Sequence, residues 1–128
     1  MQIEHVAIWT RNLEQLKTFY ETYFQAGAGK KYSNPARQYE SYFVSFASGA
    51  RLELMQMPTL HLSLNRAEEF TGYIHLAISV GSQAQVDALT TQLRQDGYQV
   101  VGEPRWTGDG YYESCVLDPD GNRIEITV

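Results

Sequence analysis

The sequence is short of cysteine, of basic residues and of long apolar runs, and each shortage removes a class of protein. Its one cysteine, Cys115, cannot close an internal disulfide, so a reducing, cytoplasmic setting is expected. Ten Lys and Arg against fifteen Asp and Glu leave a net charge of −5, the wrong sign for nucleic acid or an anionic membrane surface. No run of about 18 apolar residues occurs, so no membrane-spanning helix is expected. The opening Met1-Gln2-Ile3-Glu4-His5 has neither the basic residues nor the apolar stretch of a signal peptide. A phosphate-binding loop is missing too. Thr107-Gly108-Asp109-Gly110-Tyr111-Tyr112-Glu113 is glycine-rich but lacks a lysine and a following helix, so it reads as a hairpin connection or the border of a substrate pocket.

What is present is 128 residues, 43% of them hydrophobic, enough for one domain or for two small halves sharing a core. Residues 3 to 10 alternate as a strand, with Ile3, His5, Ala7 and Trp9 on one face. Asn12 and Gln15 form a capping box for a helix carrying Leu13, Leu16, Phe19, Tyr20 and Tyr23 at helical spacing, with Gly27 as its stop. A short strand is expected near 29 to 33, a loop at Asn34-Pro35, and strands near 40 to 47 and 50 to 56. Residues 58 to 72 read as a connector, and His61 within it as a surface or packing histidine. The pattern then recurs. His75-Leu76-Ala77-Ile78 repeats His5-Val6-Ala7-Ile8 at an offset of 75 − 5 = 70, Ser82 repeats Asn12, and Gly97 repeats Gly27. Val86, Leu89 and Leu93 mark the second helix; strands follow near 98 to 103, 111 to 117 and 122 to 128. The turn Asp118-Pro119-Asp120-Gly121 leads into the last strand, where Ile124, Ile126 and Val128 face one way and Arg123, Glu125 and Thr127 the other. The chain therefore reads as two strand–helix–strand–strand–strand modules, 1 to 57 and 73 to 128, in the α+β class.

A carboxylate inside an otherwise apolar strand is costly unless something pairs with it. Glu125 is one such residue, and Glu53, behind the small-residue turn Ser48-Gly49, is the other. Each module thus supplies a first-strand histidine and a last-strand glutamate: His5 with Glu53, His75 with Glu125. Two imidazoles and two carboxylates suit a divalent transition metal with positions left for water or substrate. The plainer reading is a pair of hydrogen-bonded histidines with the glutamates on Arg51 and Arg123; the duplication favours the metal. Cys115 reads as a small buried apolar residue rather than a nucleophile. Trp9, Tyr42, Phe46, Trp106 and Tyr111 are candidates to line an apolar pocket, with core packing the default.

These residues carry a resemblance. His5-Val6-Ala7-Ile8, His75-Leu76-Ala77-Ile78-Ser79-Val80 and Asp118-Pro119-Asp120-Gly121-Asn122-Arg123-Ile124-Glu125 are similar to the vicinal oxygen chelate superfamily, the group of glyoxalase I, fosfomycin-resistance, bleomycin-resistance and extradiol dioxygenase proteins. The resemblance covers essentially the whole chain and is nearest to a small bacterial glyoxalase-family protein. It implies paired βαβββ modules forming a cupped, barrel-like mixed sheet, commonly as a homodimer. It also implies His5, Glu53, His75 and Glu125 as ligands to a divalent ion (Zn, Ni, Co, Mn or Fe), and a small-molecule substrate with adjacent oxygens, hemithioacetal-like. The implied reaction is a lyase or isomerase step through a metal-stabilised enediolate, with Glu125 as base and Glu53 as its counterpart. Thiol transferases and dioxygenases of the group use two histidines and one glutamate, so Glu53 counts against them; the bleomycin-binding members lack the set. A dimeric binding protein without chemistry is the other alternative. Where glyoxalase I holds glutathione with an arginine and an asparagine, this sequence has Trp9 and only then Arg11, and Gln56-Met57-Pro58. Another thiol adduct, or a substrate without a thiol, fits equally.

Overall fold

The computed structural model describes residues 1–61 and 71–128. The chain falls into two compact units, Met1–Leu64 and Asn65–Val128. In the first, β1 (His5–Trp9) leads into α1 (Leu13–Phe24), two short strands β2 (Gly27–Ala28) and β3 (Tyr32–Asn34), then β4 (Tyr39–Ser45) and β5 (Arg51–Gln56). Its sheet runs β1-β5-β4-β2, with β3 also on β4; β1 and β5 are parallel and the other pairs antiparallel. The second unit has β6 (His75–Ser79), α2 (Gln83–Gln95), β7 (Val100–Trp106), β8 (Tyr112–Leu117) and β9 (Arg123–Thr127), ordered β6-β9-β8-β7. Again the first and last strands pair in parallel and the rest antiparallel. The class is α+β, with one α-helix and one mixed sheet per module among the described residues.

Each helix covers one face of its own sheet because the apolar residues recur at helical spacing. Leu13, Leu16, Phe19, Tyr20 and Phe24 of α1 are buried, as are Val44, Leu52 and Leu54 on its sheet. Tyr23, expected on that face, is only half-buried. In the second unit Val86, Thr90 and Leu93 of α2 are buried, together with Val116, Ile124 and Ile126. Strand alternation sends the residues between them to the opposite face. That face carries His5, Ala7 and Trp9 on β1, and His75, Ala77 and Ser79 on β6, all exposed.

The helix starts follow the sequence, with one substitution of partner. Asn12 Oδ1 accepts the Gln15 N–H at 3.1 Å and Ser82 Oγ accepts that of Gln85 at 3.3 Å. The return arm of a capping box is absent at Asn12, whose own N–H donates to Thr10 Oγ1 at 3.0 Å. A further free donor of the first turn, Leu13 N–H, is taken by Gln56 Oε1 at 2.9 Å.

Three local expectations are corrected. Gly97 does stop α2, at φ +90, with Gly97 N–H on the Arg94 carbonyl and Tyr98 N–H on that of Leu93. Gly27 does not stop α1. The helix ends at Phe24, Gln25 takes the left-handed conformation at φ 53, and Gly27 already opens β2. The single strand near 29 to 33 is two short ones. Gly29 N–H still reaches the Phe43 carbonyl at 2.8 Å, but Lys31 bridges Glu14 at 3.1 Å and Glu40 at 3.0 Å. The Asn34-Pro35 loop is a 3₁₀ turn, Pro35–Arg37, capped by Asn34. β7 runs past Pro104, which an edge strand tolerates where its register slips between Gly102 and Arg105. Residues 62–70 of the expected connector lie outside the described residues.

Candidate functional site

Parallel pairing of first and last strands places the histidine and glutamate of each module. In β1–β5, His5 stands opposite Arg51 and Ala7 opposite Glu53; in β6–β9, His75 stands opposite Arg123 and Ala77 opposite Glu125. The glutamate therefore emerges one pleat along from its histidine on the same face, across from an alanine too small to separate them. His5 Nε2 lies 3.7 Å from Glu53 Oε2, and His75 Nε2 lies 3.1 Å from Glu125 Oε2. The glutamate side chains are 17% and 23% exposed, less than their histidines at 38% and 36%.

Two donors held about 2.1 Å from one ion stand roughly 3.0–3.4 Å apart at right-angled to tetrahedral geometry. The second pair falls in that range and the first a few tenths of an ångström beyond it. Imidazole nitrogen and carboxylate oxygen are also suitable donors for a divalent transition ion. Among the described residues no group of three or more His, Cys, Asp or Glu side chains is placed to hold a metal; each module brings a pair.

The first pair is braced by neighbours that sequence reasoning missed. Tyr39 donates its hydroxyl to Glu53 Oε1 at 3.0 Å. Glu4 accepts both from Arg51 and from His5 Nδ1, and the His5 hydrogen bond, then the guanidinium, hold its carboxyl below the usual range. Arg51 thus serves Glu4, with its guanidinium 4.1 Å over the Phe43 ring. Phe43 also meets the His5 ring edge-on, 5.3 Å between centroids. The signal available in the sequence was the turn at Ser48-Gly49: a hairpin centred there pairs Phe43 with Glu53, which puts Tyr39 and Phe43 on the glutamate's face.

Cys115 corrects an expectation. It is half-buried on the face of Glu125, directly opposite it in register, because Ser114 and Val116 take the helix side. Burial, then the Glu125 charge, push its thiol up, so it stays protonated. Of the aromatic candidates, Trp9 lies on the site face and packs edge-on against Tyr39 at 6.1 Å, which in turn meets Tyr32 at 6.0 Å. Tyr42 lies on the helix side with its hydroxyl on Glu14 at 3.1 Å, and Phe46 is half-buried beyond the end of β4. Trp106 and Tyr111 are exposed, 60% and 57%, in the β7–β8 hairpin. That hairpin closes through Thr107 N–H on the Tyr111 carbonyl at 2.8 Å, which makes the glycine-rich loop a connection. His61 is exposed outside any strand. Arg11 donates to the Leu60 carbonyl at 2.8 Å. With Gln56 Oε1 on the Leu13 N–H, both of these polar side chains bond to the backbone.

The chain is similar in sequence and in fold to known proteins. A 58-residue stretch is 38% identical to an uncharacterized Bacillus subtilis protein, YqjT, covering 43% of this chain and 45% of that one. The trypanothione-dependent glyoxalase I of Leishmania major superposes with a TM-score of 0.75 at 23% identity, over 99% of this chain and 86% of that one. Glyoxalase I from Zea mays does so at 0.78 and 20% identity, over 98% of this chain, which spans only 44% of the maize protein. These likenesses show the fold. Residues 2–126 match the model of one family, and the chain belongs to it: the glyoxalase/bleomycin resistance protein/dioxygenase superfamily.

Proposed function

We propose that the protein is a divalent-metal-dependent lyase or isomerase of glyoxalase type, with His5, Glu53, His75 and Glu125 as the ligands. One observation carries the reading: the same His–Glu pair recurs at the same register in both modules. Family membership and the glyoxalase I likenesses support it. The reading requires the two pairs to face one centre. Bound there, the ion would lend Lewis acidity to two adjacent oxygens of a small substrate.

The chain's own residues do the rest. Glu125 takes the proton from the carbon that bears the substrate hydroxyl and returns it to the adjacent carbonyl carbon, the hydroxyl proton passing to the former carbonyl oxygen, a general-base role that needs a free carboxylate oxygen. Glu53 is its counterpart and is the more restrained of the two by Tyr39. Trp9, Tyr39 and Tyr32 present an apolar wall beside Glu53. With Arg11 and Gln56 engaged elsewhere, a hemithioacetal of a thiol other than glutathione, or a thiol-free substrate, is the better candidate. The active form is a homodimer, which would cover open sheet edges; sedimentation equilibrium showing only monomer at micromolar concentration would oppose this.

The test is metal content. Folded His5→Ala and His75→Ala proteins should each lose the roughly one ion per chain of the wild type; retention by both would place the site elsewhere. A second reading, a ligand-binding protein without chemistry, draws on the exposure of Trp9 at 44% and Tyr32 at 55%. Ligand binding that is independent of metal, without proton exchange at the carbon next to the oxygens, would select it.

A further inference from the structure

We propose that Glu4 is a positioning residue that fixes the tautomer and orientation of the His5 imidazole, leaving Nε2 with a lone pair aimed toward Glu53. The inference deepens the metal reading above and rests on it only for its purpose.

A carboxylate can only accept, so the Glu4–His5 contact places the hydrogen of the neutral ring on Nδ1. A neutral imidazole has one N–H, and Nε2 is then the bare nitrogen. Nε2 is also the atom that faces Glu53 Oε2, at 3.7 Å. A bare nitrogen beside a carboxylate oxygen is a pair of donors suited to a cation. Glu4 is not left to drift, although its side chain is 55% exposed. Arg51 holds its other carboxylate oxygen, and the Arg51 N–H donates to the Glu4 carbonyl at 3.0 Å. Phe43 closes the arrangement, with the guanidinium over its face and the His5 ring at its edge. Three residues from three strand regions, Glu4, Phe43 and Arg51, thus determine which way one imidazole points.

The second module has no such device at the matching positions. At the histidine offset Glu4 corresponds to Ile74 (4 + 70 = 74), and at the glutamate offset Phe43 corresponds to Cys115 (43 + 72 = 115). His5 and His75 repeat in position but differ in support. His5 meets a carboxylate at Nδ1 before any ligand arrives, whereas the carboxylate beside His75, Glu125 at 3.1 Å, meets its Nε2. Removing an outer partner of a metal-bound histidine typically costs about 10–100-fold in affinity.

The experiment is long-range ¹H–¹⁵N correlation on metal-free, ¹⁵N-labelled protein at alkaline pH, with His5→Ala assigning the ring signals. Wild type should show His5 in the Nδ1–H form. Glu4→Ala should move it toward the Nε2–H form with His75 unchanged, and Glu4→Gln, which keeps an acceptor oxygen, should lie between. Zinc affinity by chelator competition should fall about 10–100-fold in Glu4→Ala and less in Glu4→Gln. An Nε2–H His5 in wild type, or a tautomer indifferent to Glu4, overturns the proposal even if affinity drops. Wild-type protein that binds no zinc would remove the metal reading, while the tautomer signals would still decide the role of Glu4.

Discussion

Tyr39 donates its phenolic proton to Glu53 Oε1 across 3.0 Å while its ring is held between Trp9 and Tyr32. Burial raises the Tyr39 phenol above its ordinary range; the Glu53 hydrogen bond adds to this, and one with Ser41 opposes it. A group whose folded-state value is raised contributes stability that is complete below its unfolded value and is lost as pH rises through the folded one. Tyr39 should therefore stabilise the fold up to about pH 10 and progressively less above it. Tyr39→Phe should cost about 0.5–1.5 kcal/mol at neutral pH and flatten the alkaline decline. Urea unfolding at neutral and alkaline pH checks both; equal stabilities with parallel pH profiles would show the hydrogen bond to be idle.

Gln25 offers a stabilising change. It holds a left-handed conformation at φ 53 at the end of α1, where its N–H and that of Ala26 both reach the Tyr20 carbonyl. A side chain with a Cβ pays for that conformation and glycine does not. Gln25→Gly should raise stability by about 0.5–1 kcal/mol, read as a higher urea midpoint at unchanged slope. A lower midpoint would mean that the side chain contributes more than the strain costs.

Thr90 and Ser114 link α2 to β8 inside the second module, their hydroxyl oxygens 2.6 Å apart and both residues buried. Thr90 has one hydroxyl proton and gives it to the Val86 carbonyl at 2.6 Å, so Ser114 must be the donor between them. Thr90→Val strands the Ser114 hydroxyl in the core and should cost about 1–3 kcal/mol. Ser114→Ala leaves Thr90 with its Val86 bond and should cost less. In a double-mutant cycle the pair should cost less than the two single changes together; strict additivity would argue that the contact carries no coupling.

The repeat was readable because strand alternation and helical spacing are written locally: His5, Asn12, Glu53 and their second-module counterparts fall where the pattern puts them. Gln25 was not, since a left-handed cap is usually announced by glycine, and Gly27 two residues later drew the expectation instead. Between β2 and β3, Lys31 forms ion pairs with Glu14 and Glu40 in other elements, partners its local sequence does not announce. The bracing of His5 escaped for a related reason. Glu4 sits before the strand and Arg51 at the start of another, so their meeting depends on the parallel register. Tyr39 needed the hairpin register as well. What the sequence hides is the second circle of contacts, set by pairing between segments rather than within one.

The sharpest test of the proposed chemistry is at Glu125. As a ligand alone, its carboxylate could be replaced by an amide oxygen with a partial loss of metal and a matching loss of turnover. As a base it must accept a proton from carbon, which an amide cannot do at neutral pH. Glu125→Gln should therefore keep much of its metal and lose turnover by about 10²–10⁴-fold, with metal content and rate measured on the same sample. Glu53→Gln should be milder, because Tyr39 can donate to an amide oxygen as it does to the carboxylate and so preserve the side chain's position. The substrates are hemithioacetals of methylglyoxal with several thiols, followed by proton exchange at the carbon next to the carbonyl. Equal, proportionate losses of metal and rate in Glu125→Gln would reduce Glu125 to a ligand. Fully metallated wild-type protein that neither turns over nor exchanges protons across that panel would end the glyoxalase reading and leave the binding protein in its place.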